Sequence, residues 1–174
     1  RYFIYGGFGS DILLGGDGND RIDGDKNRGF SGLGSYANLF GQPGDDYLDG
    51  GNGNDSLIDW AGGNDTIIGG DGDDEIGSED PVIGAVAFEN YLEGGDGNDT
   101  IESNNSSVDG FDALLGGAGD DILDTVTGNA FLDGGVGNDT YVVRYRHACS
   151  VTIQDHDSTP GNLDRLVLGN PDYI

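Results

Sequence analysis

Single aliphatic residues recur along this chain at intervals of nine, each set between short polar turns. Ile4, Leu13 and Ile22 open the series; Leu48, Leu57, Ile67 and Ile76 form its middle, with one extra residue before Ile67; Leu92 and Ile101, then Leu114, Leu123, Leu132 and Tyr141, complete it. Such a period suits neither a helix nor a long alternating strand. Three residues span about 10 Å as a strand, and a glycine-rich turn can reverse the chain. Two repeats therefore predict one flattened coil with two short parallel sheets facing each other. Neighbours in a strand alternate faces, so each strand is expected to point only its aliphatic residue inward. A bulge is the expected accommodation for the extra residue before Ile67.

The array is expected over residues 1–141, with irregular inserts near 24–38, 78–91 and 103–110. The second insert holds Pro81, which argues against a central strand, and the apolar residues Val82, Ile83, Val86 and Phe88. Residues 142–174 leave the period. Val151-Thr152-Ile153 and Arg165-Leu166-Val167-Leu168 read as strands joined by a polar loop with Pro160-Gly161. A solenoid needs a cap because its last coil exposes unpaired strand edges, so this tail is read as a C-terminal capping segment. The strand period outlasts the turn pattern: Asn90 precedes Leu92, and Ala130 precedes Leu132, where Asp is expected.

Composition sharpens this picture. The 35 glycines fall at fixed repeat positions, as turns demanding positive φ require. With 33 acidic and 7 basic side chains the net charge is -26, which repels phosphate backbones and excludes nucleic acid as a partner. The periodicity of Asp sets the chain apart from disordered acidic tracts, although disorder is expected without cations. No apolar run approaches the roughly 20 residues of a membrane span, and no N-terminal signal peptide is visible. One cysteine, Cys149, excludes an intrachain disulfide. The chain contains no Met and opens on Arg1-Tyr2-Phe3-Ile4-Tyr5, so it reads as a piece of a longer protein.

The turns share a phrase. Gly69-Gly70-Asp71-Gly72-Asp73-Asp74-Glu75-Ile76-Gly77 follows the nonapeptide G-G-x-G-x-D-x-U-x, where U is a large aliphatic residue. Close copies begin at Gly6, Gly15, Gly50, Gly94, Gly116 and Gly134; the copy at Gly41 carries Gln42, and a looser one ends in Gly63-Asn64-Asp65-Thr66-Ile67. On these residues the chain resembles the repeats-in-toxin (RTX), or haemolysin-type calcium-binding, family. The resemblance implies an all-β fold, a calcium-binding parallel β-roll, with several Ca2+ ions shared between successive turns on one edge. Turn i then pairs with turn i+2, placing Asp46 with Asp65 and Asp55 with Asp74, and Asp99, Asp121 and Asp139 on one edge. Asp11 and Asp20 are assigned as ligands with partners across the first insert, and Asp112, preceded by Gly110, is a further candidate. Carbonyls of the glycines at the second and fourth positions complete the assignment. These are Gly7, Gly9, Gly16, Gly18, Gly44, Gly51, Gly53 and Gly63, followed by Gly70, Gly72, Gly95, Gly97, Gly117, Gly119, Gly135 and Gly137.

Elementary energetics agree. A thin core cannot offset backbone ordering at roughly 1–2 kcal/mol per residue. Stacked turn carboxylates about 5 Å apart repel by roughly 3 kcal/mol at an effective dielectric of 20. Calcium takes about 6 to 8 oxygen ligands in flexible geometry and removes the conflict, whereas magnesium demands a rigid octahedron. Zinc is disfavoured because the repeats hold neither Cys nor His. For any one Asp the alternative is an Asx-turn.

Other motifs carry less. Asp23-Gly24-Asp25-Lys26-Asn27 imitates an EF-hand start, but Arg28 and Gly34 stand where its glycine and glutamate belong. His147, His156 and Cys149 lack any catalytic frame and read as structural. The expected function is a non-catalytic calcium-binding module of a larger secreted protein (a toxin, adhesin or exoenzyme). It is expected to be disordered without calcium, to fold outside the cell and to support type I secretion. Its expected partners are calcium and neighbouring domains of the parent chain. The resemblance places it as secreted or on the cell surface of a Gram-negative bacterium. The alternative is an accessory glycan-binding module of a polysaccharide-modifying enzyme, using Lys26, Arg28, Arg144 and Arg146 beside Phe30, Tyr36, Trp60 and Tyr145.

Overall fold

The computed structural model describes residues 3–6, 12–18, 21–23, 44–59, 62–80, 87–105, 109–144, 150–157 and 159–169. These form two parallel sheets that the chain visits alternately, with strands numbered in chain order. One sheet contains β1 (Phe3–Tyr5), β3 (Arg21–Asp23), β5 (Ser56–Asp59), β7 (Glu75–Asp80), β9 (Thr100–Asn105), β11 (Ile122–Thr127), β13 (Thr140–Arg144) and β15 (Arg165–Gly169). The other contains β2 (Ile12–Asp17), β4 (Tyr47–Asn52), β6 (Thr66–Asp71), β8 (Tyr91–Asp96), β10 (Phe111–Ala118), β12 (Asn129–Val136) and β14 (Val151–Gln154). Each strand pairs only with strands two away in sequence, so the chain winds as a β-roll with two strands to each turn. No helix among the described residues is long and apolar enough to cross a membrane.

The nine-residue column is the core. Leu13, Leu48, Ile67, Leu92, Leu114 and Leu132 stand in register on one sheet, facing Ile22, Leu57, Ile76, Ile101, Leu123 and Tyr141 on the other, all buried. The extra residue before Ile67 makes no bulge there: β4 and β6 pair without a shift, and the surplus lies in the turn between β5 and β6. The register shift falls instead between Thr125 and Thr127.

The interior is less uniformly apolar than one aliphatic residue per strand predicts. Two strands aim three side chains inward: β7 buries Ile76, Ser78 and Asp80, and β9 buries Ile101, Ser103 and Asn105. These buried polar residues also shorten the expected inserts. Ser78–Asp80 complete β7, Tyr91 opens β8, and Ser103–Asn105 complete β9, while the insert near 24–38 lies outside the described residues. The tail adds one strand to each sheet, β14 on β12 and β15 on β13, and continues the column with Ile153 and Leu166, both exposed.

Candidate metal centre

The coil has two edges. Turns from an even-numbered strand to the next odd one form the first edge, and the connections back form the second. On the first edge every turn from β4–β5 to β12–β13 follows the nonapeptide. Its second glycine must be glycine twice over: Gly70 has φ +113°, and a Cβ there would collide with the Gly51 carbonyl of the coil before. Its first glycine makes room for the carboxylate. A Cβ on Gly50 would stand 2.6 Å from Asp55 Oδ2 and 2.5 Å from the Gly69 carbonyl oxygen.

This packing stacks the aspartates as rungs of a ladder. The Asp55 amide donates to Asp74 Oδ1 at 2.8 Å, Asp74 to Asp99 at 2.8 Å, and Asp99 to Asp121 at 2.8 Å. Asp121 donates to Asp139 at 2.9 Å and Asp139 to Asp164 at 2.9 Å. Each bond uses one carboxylate oxygen. The other, Oδ2, is buried and has no hydrogen-bond partner in Asp74, Asp99, Asp121 and Asp139. Burial, opposed by the Asp55 amide and reinforced by neighbouring carboxylates, pushes Asp74 up to about 7. Burial likewise pushes Asp121 up to about 7 and Asp99 up to about 6, and it raises Asp139.

An outer ladder shields this one. Asn54, Asp73, Asn98, Asp120 and Asn138 stack one residue before each rung, so that amide and carboxylate alternate. Asn98 Nδ2 donates to Asp73 at 3.2 Å, and Asn138 Nδ2 donates to Asp120 at 3.0 Å.

The second edge starts in the same way and changes along the chain. The Asp46 amide donates to Asp65 Oδ1 at 2.9 Å, but the following rungs are Asn90 and Asp112, reached at 3.0 and 3.1 Å. Burial, followed by the charge of Asp59, pushes Asp65 up to about 8. Side chains from inside the strands meet these rungs. Asn90 Nδ2 donates to Ser78 at 2.9 Å and to Asp80 at 2.7 Å, Ser103 donates to Asp112, and Asn105 Nδ2 donates to Asp112 at 3.1 Å. Burial, followed by the charge of Asp112, pushes Asp80 up to about 7.

The structure thus brings Asp55, Asp74, Asp99, Asp121 and Asp139 together on one edge and Asp46 with Asp65 on the other. Asp11, Asp20, Gly7 and Gly9 lie outside the described residues. Gly16, Gly18, Gly51, Gly53, Gly70, Gly72, Gly95, Gly97, Gly117, Gly119, Gly135 and Gly137 all have positive φ. On the second edge positive φ falls on Gly62, and Gly63 instead packs against the Gly44 carbonyl. Sequence reasoning missed the first-position glycines, although the phrase itself holds them. It also missed Asp164, whose Asp164-Arg165-Leu166 keeps the D-x-U spacing without the glycines. Arg144, offered as a glycan contact, pairs with Asp124 on the neighbouring strand, and His156 Nδ1 lies 2.7 Å from Asp133 Oδ2.

Buried carboxylate oxygens without partners, beside inward-turned glycine carbonyls, make a hard-oxygen donor set that fits a calcium ion. Asp74, Asp99, Asp121 and Asp139 would hold it with the turn carbonyls. The ion supplies positive charge where stacking has gathered negative charge. No curated protein and no solved structure matches this chain. The family model for the RTX calcium-binding nonapeptide repeat (four copies) matches residues 3–29, 38–58, 61–79, 86–107 and 106–141. The strand column to Tyr141, the glycine turns and the aspartate ladder to Asp139 fall within those matches, and the chain belongs to the RTX calcium-binding nonapeptide-repeat family, with calcium as its cofactor.

Proposed function

We propose that this calcium-binding repeat module is non-catalytic and couples folding to calcium. In this reading it belongs to a larger secreted protein (a toxin, an adhesin or an exoenzyme), stays disordered where calcium is scarce and folds outside the cell. Leaving the cell unfolded supports type I secretion from a Gram-negative bacterium. The observation that carries the reading is the first-edge ladder, whose rungs Asp74, Asp99 and Asp121 each bury one carboxylate oxygen without a partner. Desolvating stacked carboxylates costs several kcal/mol per charge unless something compensates. A cation bound at 100 times its dissociation constant adds about 2.7 kcal/mol per site, and nearest-neighbour stacking makes the sites cooperative.

The test is far-ultraviolet circular dichroism and calorimetry on the same samples during a calcium titration. Strand signal is expected to appear with cooperative uptake of several ions. A strand signal already complete in chelator sinks the reading. The glycan reading draws no support, since Lys26, Arg28 and Arg146 lie outside the described residues and Arg144 is engaged by Asp124.

A further inference from the structure

The two edges differ systematically at one interior position, two residues beyond the buried aliphatic side chain. Strands leading to the first edge carry glycine there, as at Gly50, Gly69 and Gly94. Strands leading to the second edge carry Asp59, Ser78, Ser103 and Thr125, all buried. On the first edge the missing side chain leaves space for the turn carboxylate. On the second a side chain occupies that space and meets the turn residue directly. Ser78 accepts from Asn90 at 2.9 Å, and Ser103 donates to Asp112, so in these coils a hydroxyl answers the rung.

Asp59 breaks the series. It brings a carboxylate where the later coils bring a hydroxyl, and its turn partner Asp65 is also a carboxylate. Two ionised carboxylates are acceptors only and cannot satisfy each other. Ligand oxygens of Asp46, Asp59 and Asp65 lie within 4.8 Å of one another, and the three residues are only 3%, 1% and 2% exposed. Asp65 Oδ1 is used by the Asp46 amide, but Asp65 Oδ2 is buried with no hydrogen-bond partner.

We propose that Asp46, Asp59 and Asp65 hold one calcium-type cation in a three-carboxylate site on the second edge, with Asp59 as a ligand from inside the solenoid that the nonapeptide turn does not supply. Beyond this coil the second edge is closed by Ser78, Ser103 and their partners without metal. Three carboxylates exceed the two that a first-edge pair of coils contributes. Ligand charge count tunes calcium affinity, so this site binds more tightly than the ladder and favours a trivalent lanthanide further. The proposal goes beyond the folding switch, which the first edge can operate alone.

Trp60, the chain's one tryptophan, follows Asp59 directly in the sequence. The test titrates terbium(III) into the calcium-loaded chain, exciting where tryptophan alone absorbs. Tryptophan-sensitised luminescence is expected with the first equivalent. Asp59→Asn should weaken it by at least the roughly tenfold that loss of even an outer-shell partner costs, while Glu102→Gln, a change at an exposed side chain of β9, leaves it in place. Absent sensitisation in the parent chain, or an unchanged signal in Asp59→Asn, overturns the site. Should Asp59→Asn fail to fold in calcium, Asp59→Ser supplies the hydroxyl found at Ser78 and Ser103. Equilibrium dialysis should then count one calcium fewer per folded chain, and an equal count overturns the proposal. Strand content indifferent to calcium would remove the folding switch and leave this test standing.

Discussion

On the first edge three residues separate consecutive strands at each nonapeptide turn, 53–55, 72–74, 97–99, 119–121 and 137–139, and only the tail connection 155–164 is longer among the described turns. On the second edge the connections vary, from the single residue 128 through 106–110 and 60–65 to 81–90. Both edges join the same two sheets in the same register, so the strands do not impose the difference. It follows from what closes each turn. A cation shared between coils needs the same carboxylate and carbonyls at the same height in each, which holds length constant. Direct hydrogen bonds made with Ser78, Ser103 and Asn105 release that constraint, and insertions are tolerated where loop closure costs little.

The strongest way to break the first edge is to fill its glycine space. Gly94→Val would drive a side chain into Asp99 Oδ2 and the Gly116 carbonyl, which is backbone and cannot yield. The expected loss lies at the upper end of the roughly 1–3 kcal/mol of overpacking, read as a lower melting temperature in saturating calcium. Ser78→Gly, the matching change on the second edge, should cost no more than the roughly 1–3 kcal/mol of a buried group left unsatisfied.

Next in size is the loss of a central rung. Asp121→Ala removes a carboxylate standing between Asp99 and Asp139. The calcium midpoint for folding should rise and the transition broaden, because both neighbouring coils lose a shared ion. A sharp, unshifted midpoint would show that the rungs act independently of calcium.

Acid should weaken calcium binding through proton competition. The first-edge carboxylates Asp74 and Asp121 are raised to about 7 and Asp99 to about 6, from an ordinary 3.8. Carboxylates raised in the folded state take up protons there before the unfolded chain does. Their folding penalty is therefore full above about pH 7 and fades as pH falls toward 4. Calcium affinity should weaken over the same window while the calcium-free chain gains strand, both measurable by titrations at pH 7.5 and 5.5.

The smallest effects belong to the hydrogen-bonded positions. Ser103→Ala leaves Asp112 short of one donor and should lower the melting temperature modestly, with calcium stoichiometry unchanged. Asn98→Asp places a third carboxylate between Asp73 and Asp120 in the outer ladder. A slight destabilisation is expected, larger at low ionic strength because exposed charges are screened by salt.

The sequence by itself determined the coil. A nine-residue period of single aliphatic residues admits one winding, and the register from Leu13 to Leu132 and from Ile22 to Tyr141 follows from it. The D-x-U spacing likewise identified every first-edge rung except Asp164, where the glycines that frame the phrase are gone. The tertiary structure decided which turns share an edge and what fills them. That the irregular connections between β4 and β13 fall on one side depends on counting strands through the inserts, and an insert conceals the count. The role of Asp59 was hidden for a related reason. Read along the chain it is one acidic residue among many, and only stacking coils from distant positions buries it against Asp46 and Asp65, where desolvation turns an ordinary charge into a demand for a cation.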